Sequence, residues 1–101
     1  MFKIAALYKF FSINKPEFLQ EEIRDHFKQL KIKGTVLVGH EGINGTISGS
    51  GSSIDAAINF LKKINGCSKL DAKYSESDKD PFIRLKVKLK QEIVTIGNTS
   101  I

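Results

Sequence analysis

The pattern of apolar and polar residues in this 101-residue chain predicts an α+β fold of the ferredoxin-like class. This is a split βαβ sandwich, an antiparallel sheet with two helices on one face, here with an additional C-terminal strand. Three observations predict it. Two amphipathic stretches of helical period each lie between β-prone runs, so the order reads strand, helix, strand, strand, helix, strand. The segment Glu41-Gly42-Ile43-Asn44-Gly45-Thr46-Ile47-Ser48-Gly49 turns the apolar run Thr35 to Val38 back on itself and joins the two halves. Finally, Ile83, Leu85, Val87 and Leu89 alternate without exception with Arg84, Lys86, Lys88 and Lys90, the period-two signature of a strand.

Residues 3–11 are rich in aromatic and aliphatic types and suit a central strand buried on both faces. Asn14 with Glu17 three residues on has the spacing of a capping box, and Pro16 is tolerated in a first helical turn. Phe18, Leu19, Ile23, Phe27 and Leu30 then form an apolar stripe over about four turns, with Glu21, Glu22, Arg24, Asp25 and Lys28 opposite. Gly34 is read as the exit into the next strand. Residues 35–39 and 45–49 are the expected hairpin strands, with Asn44-Gly45 as the tight-turn signal and with His40, Glu41 and Asn44 at the tip. After the loop Gly49 to Ser53, Ser52 and Asp55 resemble a second capping box, and Ile54, Ala57, Ile58, Leu61 and Ile64 build a second stripe ended by Asn65-Gly66. Leu70 to Glu76 is read as a strand and Ser77 to Pro81 as a polar turn. Ile93 to Ile96 is β-prone but short. One domain is expected over residues 1–96, with 97–101 as a linker or truncated end.

Composition narrows the function classes. An apolar share of 41% is ordinary for a folded soluble domain, and no run of about 18 apolar residues is present to cross a bilayer. Met1 to Leu7 superficially resembles a signal start, but Lys9 interrupts the apolar run, and no cleavable signal is predicted. A single cysteine, Cys67, makes no internal disulfide, so a reducing, cytoplasmic setting is the default and an inert thiol the expectation. The net charge of +5 is carried by the two ends. Residues 84–101 hold four basic groups against one acid and residues 1–33 seven against four, whereas residues 34–83 hold five against six.

No metal-ligand spacing exists among His26, His40 and Cys67, and no cofactor is predicted. His26 is read as a structural, half-exposed histidine. His40 beside Glu41 could form an acid–base pair, but neighbours on an extended chain point to opposite sides, which favours a solvated turn. The glycines fit neither a P-loop nor a dinucleotide turn and are read as turning residues. The element order is shared with acylphosphatases, whose chemistry needs an arginine in a phosphate-cradling loop after the first strand. Here that loop is Ser12-Ile13-Asn14-Lys15, without arginine or glycine, which disfavours the activity. The cationic face Arg84, Lys86, Lys88 and Lys90 is the best binding candidate, because alternate strand residues lie about 7 Å apart, close to the spacing of successive phosphates on a single strand. The competing reading is a solvated face, or an edge strand guarded by lysines. Tyr8, Phe10, Phe11, Tyr74 and Phe82 are assigned to the core.

Three segments together resemble the N-terminal domain of the rhodanese-related tRNA uridine hydroxylases. They are Ala6 to Phe10, the run Lys33 to Leu37 through Glu41 to Gly49, and Pro81 to Val94. The resemblance implies an acylphosphatase-like N-terminal half of an oxygen-dependent enzyme that makes 5-hydroxyuridine at the tRNA wobble position. It also implies a catalytic rhodanese domain, absent from this chain, with its own active-site cysteine; Cys67 does not take that role. The expected partners are tRNA, held by Arg84, Lys86, Lys88 and Lys90, and the missing rhodanese domain. The isolated domain is expected to be monomeric and not itself catalytic. Two other readings stay open. One is an interdomain module whose tip (His40, Glu41, Asn44) faces the missing domain or the substrate, and the other is a small stand-alone acyl phosphate hydrolase.

Overall fold

The structure is a computed structural model, and it describes residues 1–90. The β-prone Ile93 to Ile96 and the proposed boundary at residue 96 lie outside the described residues. Seven elements follow one another: β1 (Phe2–Phe10), α1 (Pro16–Gln29), β2 (Lys33–Gly39), β3 (Gly42–Gly49), α2 (Gly51–Lys62), β4 (Asp71–Ser77) and β5 (Leu85–Leu89). The sheet order is β4-β1-β3-β2-β5. The first four strands pair antiparallel as expected, while the additional strand β5 runs parallel to β2 and makes the sheet mixed.

The core lies between one sheet face and the two helices. Leu19, Ile23 and Phe27 of α1 and Ile54, Ala57, Ile58 and Leu61 of α2 are buried against Ala5, Leu7, Val36, Val38, Ile43, Ile47 and Val87. Burying each of the Leu, Ile, Val and Phe side chains contributes on the order of 1.5–3 kcal/mol. Phe18 does not join this stripe; it is exposed, and the Lys15 ammonium lies 5.2 Å from its ring centroid. At helical spacing Phe18 precedes Leu19 by 100°, and a narrow stripe on 19, 23 and 27 already fills the contact.

The helix ends differ from the sequence expectation. Lys15 is the N-cap of α1 and makes no side-chain cap bond, so the Asn14–Glu17 box does not form. In α2 the cap is Ser50, whose Oγ accepts from the Ser53 N–H at 3.1 Å, two residues before the expected Ser52. The exit of α1 is a Schellman turn. The Ile32 N–H bonds the Phe27 carbonyl and the Lys31 N–H the Lys28 carbonyl, with Lys31 left-handed at φ 59°. Lys31, not Gly34, therefore ends the helix. The α2 helix also stops earlier than expected, at Lys62 rather than at Asn65-Gly66.

The hairpin turn is His40-Glu41, closed by the Gly39–Gly42 pair, and Asn44-Gly45 lie inside β3. The glycine at 45 serves close approach rather than turning: a Cβ there would lie 2.2 Å from the Thr35 carbonyl oxygen on the neighbouring strand.

β4 and β5 occupy opposite edges of the sheet, so residues 78–84 must cross its end. Asp80 ties the crossing down. Its carboxylate accepts from the Ser48 hydroxyl at 2.6 Å and from the Phe82 N–H at 3.1 Å, and it lies 3.8 Å from the Lys33 ammonium. Burial pushes the Asp80 carboxyl up, and the Ser48, Phe82 and Lys33 contacts outweigh that effect and hold it below the usual carboxylate value. A depressed folded value means stability that is present above the unfolded value and lost as pH falls through the folded one. Acid melting below about pH 4 is therefore expected to be steeper in the wild type than in Asp80→Ala. The variant should lose about 2 kcal/mol at pH 7, roughly 10 °C in Tm. Parallel Tm-against-pH curves for the two proteins would contradict this role.

Candidate nucleic-acid interface

Two helices cover one face of the sheet, and the other face is open except at the Ser48 end, where Asp80 of the crossing segment packs over it. Strand parity decides which residues it carries. On β1 the helix-facing residues are Ala5 and Leu7, so Ile4, Ala6, Tyr8 and Phe10 point to the open face. Tyr8 is 47% exposed and Phe10 71%, which corrects their assignment to the core. Tyr74 is likewise exposed, on edge strand β4, whereas Phe11 and Phe82 are partly buried. A central strand buried on both faces is incompatible with helices on one face only, and β1 follows the fold rather than its own hydropathy.

The cationic strand is shorter than its sequence pattern. β5 spans Leu85–Leu89; Ile83 lies before it and is 92% exposed, while Val87 alone is fully within the core and Leu89 is partly exposed. Lys86 and Lys88 flank Val87 on the open face, both exposed. The Lys90 N–H continues the ladder to the Val38 carbonyl, and the Arg84 carbonyl accepts from the Gly34 N–H, so all four basic residues keep one register. The outer edge of β5 is held by α1, because the Val87 carbonyl accepts from Gln20 Nε2 at 2.8 Å and Arg24 Nη2 at 3.2 Å.

Register places these groups in rows across the open face. One row runs Tyr8, Asn44, Leu37, Lys88, and the next runs Ala6, Thr46, Thr35, Lys86. A third runs Phe10, Gly42, Gly39 and ends at Lys90, whose Cβ would lie 3.2 Å from a Cβ on Gly39. With no side chains at Gly39 and Gly42, this row is a trough. It forms a cavity of about 170 Å³ lined by Tyr8, Phe10, Glu41, Ile43, Asn44 and Lys90.

His40, Glu41 and Asn44 do not act as one tip. The His40 Nδ1 donates to the Ile13 carbonyl at 2.9 Å, since an oxygen acceptor requires the proton on that nitrogen. The Ile13 and Phe11 N–H groups bond the His40 and Glu41 carbonyls. These bonds fasten the loop after β1 to the hairpin and leave no His40–Glu41 pair. Asn44, inside β3, faces the open side. His26 stacks on Phe60 with ring centroids 4.0 Å apart, the structural role expected of it. Cys67 is buried, and burial pushes its thiol up while Lys9 draws it partly back, as suits an unreactive thiol. Among the described residues no group of His, Cys, Asp and Glu is placed to hold a metal ion, and no helix is long and apolar enough to cross a membrane.

Residues 2–93 match the family described as UPF0176 acylphosphatase like domain. The chain belongs to this family. Relatives of this UPF0176 domain include the tRNA uridine(34) hydroxylase of Rhizobium leguminosarum bv. trifolii, 48% identical over 95% of this chain and 31% of the relative. The tRNA uridine(34) hydroxylase of Picosynechococcus is 44% identical over 99% of this chain and 34% of the relative. The chain thus spans about a third of the length of these curated relatives. Among solved structures, the acylphosphatase of Coxiella burnetii matches 85% of this chain and 92% of its own, at a TM-score of 0.61 and 16% identity. The acylphosphatase of Bacillus subtilis covers 86% of this chain and 98% of its own at a TM-score of 0.64 and 13% identity. At such low identity these likenesses establish the shared ferredoxin-like fold and nothing of the chemistry.

Proposed function

We propose that this UPF0176 domain is the N-terminal, tRNA-binding part of an oxygen-dependent tRNA wobble-uridine 5-hydroxylase. Its catalytic rhodanese half lies in the portion of the longer protein outside this chain. The observation that carries the reading is the common face of Arg84, Lys86, Lys88 and Lys90, joined to relatives named for acting on tRNA uridine(34). Four cations at strand spacing along one edge can track a phosphate backbone. Such a domain works in the cytoplasm beside tRNA, holding the substrate while chemistry proceeds elsewhere.

An acyl phosphate hydrolase is a poorer reading despite the fold. The loop after β1 offers no arginine, and its Phe11 and Ile13 N–H groups are already bonded to carbonyls of the hairpin turn. They cannot cradle a phosphate without breaking those bonds. The interdomain reading of the tip keeps Glu41 and Asn44, which line one trough, but draws less support from His40, whose Nδ1 is bonded to the Ile13 carbonyl.

Fluorescence titration of tRNA with the 101-residue chain tests the proposal. Binding is expected to weaken steeply as salt rises from 50 to 200 mM. Absence of binding at low salt, or affinity independent of salt, contradicts it.

A further inference from the structure

We propose that the trough between the aromatic pair on β1 and Lys90 is a seat for one unpaired nucleobase of an RNA strand whose phosphates follow Lys86 and Lys88. The inference rests on the tRNA-binding reading and adds to it a site that holds a base rather than the backbone.

Four features converge. Tyr8 and Phe10 are large, exposed and adjacent on the open face of a central strand, a position where a soluble domain gains nothing by leaving aromatic rings in water. Their ring centroids lie 5.5 Å apart with planes at 74°, so a flat heterocycle stacked on one ring meets the other as an edge. The cavity beside them, about 170 Å³, is below the size of a pocket for a drug-sized ligand and suits a single ring system. Its floor exists because Gly39 and Gly42 carry no side chains.

The polar groups on the wall have the right types. The Asn44 amide offers both a donor and an acceptor, the pairing that a base edge requires. Glu41 accepts from ring or amino N–H groups, and Lys90 donates to a carbonyl or phosphate oxygen. Beyond the trough the rows end in Lys86 and Lys88, three strand spacings from β1, or about 14 Å. On the other flank, Lys73 pairs in register with Ala6. Aromatic rings bordered by cations are the composition of a single-strand platform, in which rings take bases and lysines take phosphates. By register the open face carries Lys73, Lys86, Lys88 and Lys90 against Glu41 and Asp71, a cationic excess that favours a polyanion.

The chain supplies its own reporter. It has two tyrosines and no tryptophan, so Tyr74→Phe leaves Tyr8 as the only tyrosine. In that background, titration with single-stranded U8 RNA is expected to quench Tyr8 emission. The oligonucleotide should bind at least about tenfold more tightly than a duplex with the same number of phosphates. Phe10→Ala and Asn44→Ala, which leave the lysines in place, should each weaken U8 binding about fivefold to tenfold and leave duplex affinity unchanged. The circular dichroism spectra of both variants should match that of the wild type. If tRNA binds in a salt-dependent way but U8 is bound no better than duplex and Tyr8 is not quenched, the base seat is wrong while the tRNA reading stands. If no RNA binds at all, both fall. If Phe10→Ala instead loosens the hold on the C-terminal two thirds of a full-length relative added in trans, with RNA affinity unchanged, the trough is an interdomain contact and the proposal is overturned.

Discussion

Replacing Gly34 by alanine is expected to cost about 4 kcal/mol or more and to leave little folded protein at 37 °C. Gly34 lies inside β2, paired with Ile47 on one side and Leu85 on the other, at φ 126°. A Cβ built there would sit 2.2 Å from the Thr46 carbonyl oxygen and 2.7 Å from the Ile47 Cα. Both are backbone atoms of the adjacent strand, so relief requires prising β2 from β3 rather than turning a side chain. The left-handed φ adds about 1–3 kcal/mol of strain and the overlap a similar amount. Against a total stability of roughly 5–15 kcal/mol this is decisive. Gly51→Ala is the control, because nothing lies within 4 Å of a Cβ there and the residue opens α2. That variant should match or exceed the wild-type Tm. A Gly34→Ala Tm within a few degrees of wild type would show that the β2–β3 contact is far looser than the structure has it.

The second large effect concerns RNA. Changing Arg84, Lys86, Lys88 and Lys90 to glutamine removes four cations from one edge of the open face and leaves Val87 in the core. For B-DNA each lost phosphate contact lowers the slope of log K against log salt by about 0.9, and single strands by about 0.7. If all four meet phosphates, the slope should fall by about 3, and tRNA affinity at 50 mM salt should drop by two to three orders of magnitude. The loss should be nearly independent of RNA sequence, because phosphates carry none. A quadruple variant that binds tRNA with wild-type affinity and slope would assign the lysines to solvation and edge protection instead.

The helices were legible because their period is enforced by burial: Leu19, Ile23 and Phe27, and likewise Ile54, Ala57, Ile58 and Leu61, are where the pattern places them. The caps were not, because several serine and asparagine residues near each start satisfy the same rule and only the path of the preceding strand selects one. Asn44-Gly45 carries the chemistry of a hairpin turn, yet what Gly45 answers is a neighbouring carbonyl that no local pattern reveals. Of the candidate site, Lys86 and Lys88 were readable from alternation alone. Tyr8 and Phe10 were not, since hydropathy cannot distinguish an aromatic in a core from one on an open sheet. The fold itself held the missing signal: two helices on one face leave a central strand with one set of side chains uncovered.

The most direct test of the open face as an RNA surface is backbone chemical-shift mapping of the 101-residue chain with an anticodon stem-loop RNA at low salt. The largest changes are expected on Tyr8, Phe10, Leu37, Gly39, Asn44, Lys86, Lys88 and Lys90, with α1 and α2 little affected. Changes concentrated on the outer surfaces of the two helices, with β1 and β5 silent, would contradict it.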